Sequence, residues 1–428
     1  MSQPQRWTVR DLRRSNRTVV LRTLHFAEPM SRQELSRLTG LSPATVSNVT
    51  ADLLKEGVIV EAGLLDSEVG RPRVLLRVNP GHRHIVGIDV GETQVRVALF
   101  DLDMEVKSQA AYPVPLHGHD VGMVVERILA GIEAVVDESG VALESVLGVG
   151  IGVPGQVEQG PDFVVHAATV GWDAVPLAKL LRVGTPLPLF IDNGAKTMGQ
   201  AELWFGAGQG LQHAVVVLIG SGVGACIVAD GHTYRGTTSS AGEWGHTTIA
   251  VNGRACRCGS RGCLEAYIGA HGILGRYRDA DPQKAGRAGE EAGGEEARLA
   301  ELLTAAETSP AERAVVDGTV AYLGAGLGDL VNLFNPERII LGGWAGLMLG
   351  RARLADIEAA AKANALSHPF AQTSLHLAEL GPDGVLMGAA TLVLEQFLNN
   401  PTGDTAAGEG EPVARQRRRR SGAEADAG

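Results

Sequence analysis

Of the four cysteines in this 428-residue chain, three (Cys256, Cys258 and Cys263) fall within eight positions. His246 stands ten residues upstream, in the stretch GEWGHTTIAVNGRACRCGSRGCLEAYIG. Three thiols and one imidazole at this spacing match the donor set of a closed, tetrahedral structural zinc site. The competing reading is a set of reduced structural cysteines without metal. Cys226 is isolated and reads as a small buried residue. The cysteines are too few for a disulfide scaffold, and their grouping suits a reducing compartment.

A mass of 44.8 kDa gives room for two or three domains. The 56 glycines suit an α/β protein with many tight turns. No signal peptide opens the sequence and no run of about 18 apolar residues is present, so a soluble, cytoplasmic protein that does not enter membranes is expected. The net charge of -11 is unevenly spread. Residues 1–80 carry 12 Lys/Arg against 8 Asp/Glu, a net of +4 that leaves -15 on the remainder. A basic module on an acidic body is compatible with nucleic-acid binding by the module.

Residues 10–26 read as an amphipathic helix. After it, Ser31 and Glu34 form a capping-box pattern for a helix over 31–38. Thr39-Gly40 is a tight turn, and Ser42-Pro43 caps and starts the next helix. Val46, Val49, Leu53 and Leu54 recur at helical spacing and face inward. Ser42, Ala44, Thr45, Ser47 and Asn48 are left at the helix start, where short side chains can enter a major groove. Gly57 ends the helix. VIVEAG and RPRVLLRV then read as a two-stranded wing, with Arg71 and Arg73 near its tip for phosphates or a minor groove. The order of elements predicts a winged helix-turn-helix over 8–78. A small helical protein-binding module with a solvated basic loop is the bland alternative.

Beyond the turn at Asn79-Pro80-Gly81, Asp89-Val90-Gly91-Glu92-Thr93 separates two strands. A second hydrophobic hairpin carries a glycine turn at 220–224. Such turns let backbone N–H groups approach a phosphate, and Asp89 could hold a hydrated Mg²⁺, although plain β-turns read the same way. A helix over 121–139, a buried strand VLGVGIGVPGQV, and a third strand ending at Gly342-Gly343 complete the pattern. The two hairpins suggest a duplicated strand–strand–strand–helix lobe with a small-molecule cleft between the copies. Residues 271–310 read as helical excursions from the second lobe, and 399–428 as a polar disordered tail with Arg417–Arg420.

GSGVGACIVADGHTYRG, GEWGH and CRCGSRGCLEAY together resemble the ROK family of repressors, open reading frames and kinases, over roughly residues 8–398. The match is closest to its regulators with an N-terminal winged helix. The resemblance implies an N-terminal winged helix-turn-helix followed by an α/β, sugar-kinase/hexokinase/actin-like two-lobed domain over 82–398. It also implies sugar contacts from Gly155, Asn193, Glu243, His246 and Glu265. His246 would join Cys256, Cys258 and Cys263 on a structural Zn²⁺ that orders the loop bearing Glu243 and Glu265. Asp89, Gly91, Thr93, Gly222 and Gly224 fall on the family's phosphate-binding turns and are expected to be vestigial.

Three departures matter. Family kinases place an aspartate general base where this chain has Gly194, in Asp192-Asn193-Gly194-Ala195-Lys196, and a glycine accepts no proton. Lys196 replaces a second asparagine of that segment. An asparagine expected before the Gly-Trp pair is missing from HAATVGW. The resulting expectation is a pseudokinase acting as a DNA-binding regulator, a repressor of carbohydrate-related genes gated by a sugar or sugar derivative. It would bind a palindromic double-stranded operator as a homo-oligomer, dimer or tetramer. The alternatives are an ATP-dependent sugar kinase with a DNA-binding head and a ligand-independent DNA binder with a vestigial cleft.

Overall fold

The computed structural model describes residues 8–65, 72–115, 119–280 and 294–400. The wing tip with Arg71, the middle of the Ala/Gly/Glu-rich segment, and most of the tail including Arg417–Arg420 lie outside the described residues.

Local signals build the head. Helix α1 (Val9–His25) opens on a capping box in which Thr8 and Asp11 exchange hydrogen bonds. α2 (Arg32–Thr39) opens on the Ser31–Glu34 box and ends at Gly40, whose φ of 70° needs no Cβ. α3 (Pro43–Lys55) has the Ser42 cap and Pro43 in its first turn. Three strands, β1 (Met30–Ser31), β2 (Ile59–Leu65) and β3 (Arg73–Val78), make a small sheet with β3 in the centre. β2 and β3 form the wing, which is bulged between Glu61 and Leu64. Val20, Leu21, Leu35, Val46, Leu53 and Leu76 are buried beneath them. That core is continuous with Phe100, Leu394 and Leu398 of the body, so the head is packed on the body.

Two sheets of equivalent topology follow. In the first lobe, β4 (His84–Val90), β5 (Gln94–Asp101) and β6 (Val106–Pro113) run antiparallel in sequence. α4 (Val121–Ser139) then leads to β7 (Val146–Val153), parallel to β4. A short antiparallel sheet, β8 (Gln156–Glu158), β9 (Val164–Ala167) and β10 (Trp172–Pro176), precedes α5 (Leu177–Leu181). β11 (Leu189–Asn193) adds in parallel beside β7, and α6 (Gly194–Phe205) leaves its end. In the second lobe, β12 (Ala214–Ile219), β13 (Val223–Ala229) and β14 (His232–Thr233) repeat the antiparallel run. β15 (Arg338–Gly342) and β16 (Ser374–Leu377) repeat the parallel additions. Strands β7 and β12 read as unbroken apolar runs because helices cover both faces of the sheets.

Among the described residues, one helix is long and apolar enough to cross a membrane, Pro310–Phe334. Val316, Leu323, Leu327 and Val331 on it are buried in the core of the second lobe. Its apolarity therefore belongs to a core helix. The C-terminal helix, Gly384–Asn399, lies against α6 and crosses β4 and β7.

Candidate functional site

A cavity of about 970 Å³ lies between the lobes. It is lined at the carboxyl ends of β4, β7, β11, β12 and β15, where chain turns leave both sheets. All five residues expected to meet a sugar (Gly155, Asn193, Glu243, His246 and Glu265) line it. So do Asp89, Gly91, Thr93, Gly222 and Gly224, so the two glycine turns face one space.

The floor is built by close backbone approach. Gly155 has a φ of 77°, and a Cβ there would stand 2.2 Å from the His166 carbonyl oxygen. Asn193 donates from Nδ2 to the Gly155 carbonyl at 2.6 Å. Its Oδ1 accepts from the backbone N–H of Ala195 at 2.9 Å and of Lys196 at 3.2 Å. Asn193 therefore caps α6 and braces the 154–156 turn, and both ends of its amide already have partners. Gly194 follows with space beside it, since a Cβ would meet nothing closer than 3.6 Å. The neighbouring Asp192 is buried, and its carboxylate is held by Arg235 and by the Asn193 N–H.

Burial pushes the Glu243 carboxyl up, while Lys196, His246 and a hydrogen bond from Gln156 pull it down. Lys196 is itself buried, on α6. Glu265 accepts the Val223 N–H at 3.0 Å, which ties it to the second glycine turn. Asp89 accepts from Arg96 Nη2 at 3.0 Å, and Arg96 Nη1 donates to Asp383 at 2.7 Å. Burial raises the Asp89 carboxyl, and Arg96 opposes it.

The ligand atoms of His246, Cys256, Cys258 and Cys263 lie within 4.8 Å of one another. Cys256 Sγ is 3.7 Å from His246 Nδ1, and Cys258 Sγ is 3.7 Å from Cys263 Sγ. Burial pushes the Cys256 thiol up to about 12. A bound cation would supply the charge that lets such a thiol ionise. The cluster can coordinate a metal ion, and the loop it closes carries Glu265 directly after Cys263-Leu264.

On the head, Ser42, Ala44, Ser47 and Asn48 are exposed at the start of α3. Thr45 is half-buried, with its hydroxyl 2.9 Å from that of Ser42. Arg73 is exposed at the outer end of the wing, opposite Leu65.

Several site residues escaped the sequence reading. Arg257 donates to Glu92 at 3.1 Å, joining the metal loop to the first glycine turn. Gln156 reaches Glu243 from the other lobe. Arg96 and Val385 also line the cavity. A charged residue between two candidate metal-ligating cysteines, as in Cys256-Arg257-Cys258, was the available signal for Arg257. Nothing in the linear pattern signalled Arg96 or Val385.

A model of the ROK family matches residues 85–396. A xylose repressor of Caldicellulosiruptor bescii is 31% identical over 402 residues, which span 91% of this chain and 98% of that protein. Among solved structures, a ROK family transcriptional regulator described as a homolog of Escherichia coli Mlc superposes with a TM-score of 0.75. It has 26% identity and covers 91% of this chain and 97% of its own. A ROK family glucokinase from Streptomyces griseus, in complex with glucose and AMPPNP, gives a TM-score of 0.62 at 26% identity. It covers 73% of this chain and 99% of its own.

Proposed function

This chain belongs to the ROK family, and on that premise we propose that it is a DNA-binding transcriptional repressor of carbohydrate-related genes. A sugar or sugar derivative in the interlobe cleft sets its affinity for DNA. One observation carries the reading: two helices that begin at the cleft both end on the head. α6 starts at the Asn193 cap and finishes at Trp204 and Phe205, where the Trp204 ring lies 5.0 Å from Phe26 beside α1. The C-terminal helix starts beside Val385 in the cavity wall. It finishes at Asn399, whose backbone carbonyl accepts from Thr18 on α1 at 3.1 Å.

A ligand moves such an equilibrium only through different affinities for its two states. Gln156 and Glu243 already meet across the cleft, and a sugar that contacts both binds the closed arrangement better. The two helices carry the difference to α1, and the spacing of paired heads in a dimer changes on a palindromic operator. The metal is zinc in a structural role. A tetrahedron with Zn–S bonds of about 2.3 Å has S···S edges of about 3.8 Å, near the separation found between Cys258 and Cys263.

Sugar phosphorylation is lost in this reading. Gly194 offers no base, and Asp192 is engaged by Arg235. The two glycine turns facing one cavity favour the second reading, a sugar kinase with a DNA-binding head. Fluorescence anisotropy with DNA from the gene's own promoter region, at several salt concentrations and with a sugar panel, tests the first. Salt-sensitive binding to a palindromic segment, shifted roughly 5- to 150-fold by one sugar, is the expected result. Absence of any preferred DNA would sink it, and sugar-dependent ATP turnover would establish the second reading instead.

A further inference from the structure

Backbone N–H groups in a glycine turn, together with an arginine, make a seat for an anion. The turn at 220–224 has both, because Arg257 Nη2 donates to the Ser221 carbonyl at 2.9 Å and so lies along the turn. Carboxylates of the protein itself stand at this seat: Glu265 accepts the Val223 N–H of the turn at 3.0 Å, and Glu92 stands over Gly222. A Cβ at Gly222 would meet Glu265 Oε2 at 3.2 Å, Arg257 Nη2 at 3.5 Å and Glu92 Oε1 at 3.6 Å. Glu92 comes from the opposite lobe, and its backbone carbonyl is held by the ring Nε2 of the buried His119 at 3.0 Å. Its carboxylate pairs with Arg257 Nη1 at 3.1 Å, while Arg257 Nε lies 3.7 Å from Glu265.

We propose that Glu92 is an internal anion that occupies the phosphate seat of the cleft, excludes nucleotides from it, and ties the two lobes together through Arg257. The local charge favours this arrangement. Glu92, Glu265 and Glu295 surround one guanidinium, and His271 pairs with Glu295 at 3.4 Å on the far side. A triphosphate entering here would displace Glu92 from Arg257 and face the carboxylates of Glu265 and Glu295 across the same guanidinium. Asp89, the carboxylate best placed to hold a metal–phosphate group, is engaged by Arg96. The cleft then reports on a sugar without interference from cellular nucleotide. This deepens the regulator reading by giving a second obstacle to phosphoryl transfer, independent of Gly194.

The test is isothermal titration of AMPPNP with Mg²⁺ into the zinc-loaded full chain, for the wild type, Glu92→Gln, Glu92→Gly and the double variant Glu92→Gly/Arg257→Ala. The wild type is expected to show no saturable binding at millimolar nucleotide. Glu92→Gly should gain at least about tenfold in affinity, Glu92→Gln less, and the double variant should lose the gain. Inorganic pyrophosphate should rank the four proteins in the same order. Should Glu92→Gly fail to fold, as judged by its melting curve, the near-isosteric Glu92→Gln carries the decision. Wild-type binding as tight as that of either single variant overturns the proposal. So does the absence of any gain in a folded variant. Because the readout is nucleotide rather than DNA, its failure is separable from failure of the regulator reading.

Discussion

The start of α3, proposed to face DNA, is assembled from consecutive residues, Ser42 to Asn48, whereas the cleft collects Asp89, Asn193, Glu243 and Val385 from distant stretches of chain. The head can therefore keep its working surface as long as its caps and small core survive. The cleft depends on two lobes, a metal loop and the C-terminal helix all being in place. In the proposed regulator, this construction confines the tertiary vulnerability to the half that carries the cleft. The joint at Phe26, Trp204 and Phe205 is where the two kinds of construction meet.

Metal removal should separate the halves most sharply. Stripping the ion with a strong chelator, or Cys263→Ser, frees the loop that holds Glu265 and His246. Sugar affinity should fall by on the order of 100-fold or more, measured by titration calorimetry, while operator binding without sugar changes far less. Equal loss of both would break the comparison.

Acidification should weaken the joint next. Burial, assisted by Arg22, lowers the His25 imidazole to about 4, and neither ring nitrogen has a hydrogen-bond partner among the described residues. The folded-state value is the depressed one, so the unfolded chain takes up the proton first. Stability is full above about pH 6.5 and is lost as pH falls towards 4, by at most about 3 kcal/mol. Denaturant melts of the wild type and His25→Phe across this range check it. The variant should lose that part of the pH dependence.

Glu243→Ala should cost about 2 kcal/mol of sugar binding, roughly thirtyfold, through loss of a charged hydrogen-bond acceptor. Operator affinity without sugar should not change. An effect on DNA alone would mean that Glu243 serves the fold rather than the ligand. The smallest effect belongs to Ser31→Ala, which removes one half of the α2 capping box. It should lower stability by about 1 kcal/mol in chemical denaturation and leave sugar affinity unchanged.

Local chemistry was readable residue by residue. The Ser31–Glu34 box, the Gly40 turn and the Ser42-Pro43 start lie where their pattern places them, because each satisfies orphan backbone groups within a single turn of helix. The duplicated lobes were legible from the order of apolar runs, and the His/Cys cluster able to coordinate a metal from spacing alone. The T-V-R-D pattern at Thr8–Asp11 carried the same capping signal, but the helix there was read from residue 10. Asn193 lines the cavity as its motif implies, but that its amide also caps α6 and braces Gly155 was not legible in the sequence.

The sequence by itself determined the head, the family of the body and the donor set of the candidate metal site, since these rest on contacts between residues near in the chain or on recurring periodicity. Only the tertiary structure decided that Glu92 meets Arg257 across the cleft, that Arg96 covers Asp89, and that two helices run from the ligand cavity to α1. Ion pairs and helix ends of this sort depend on how two lobes face each other. That orientation is set by the packing of whole sheets and helices, which no short window of sequence encodes.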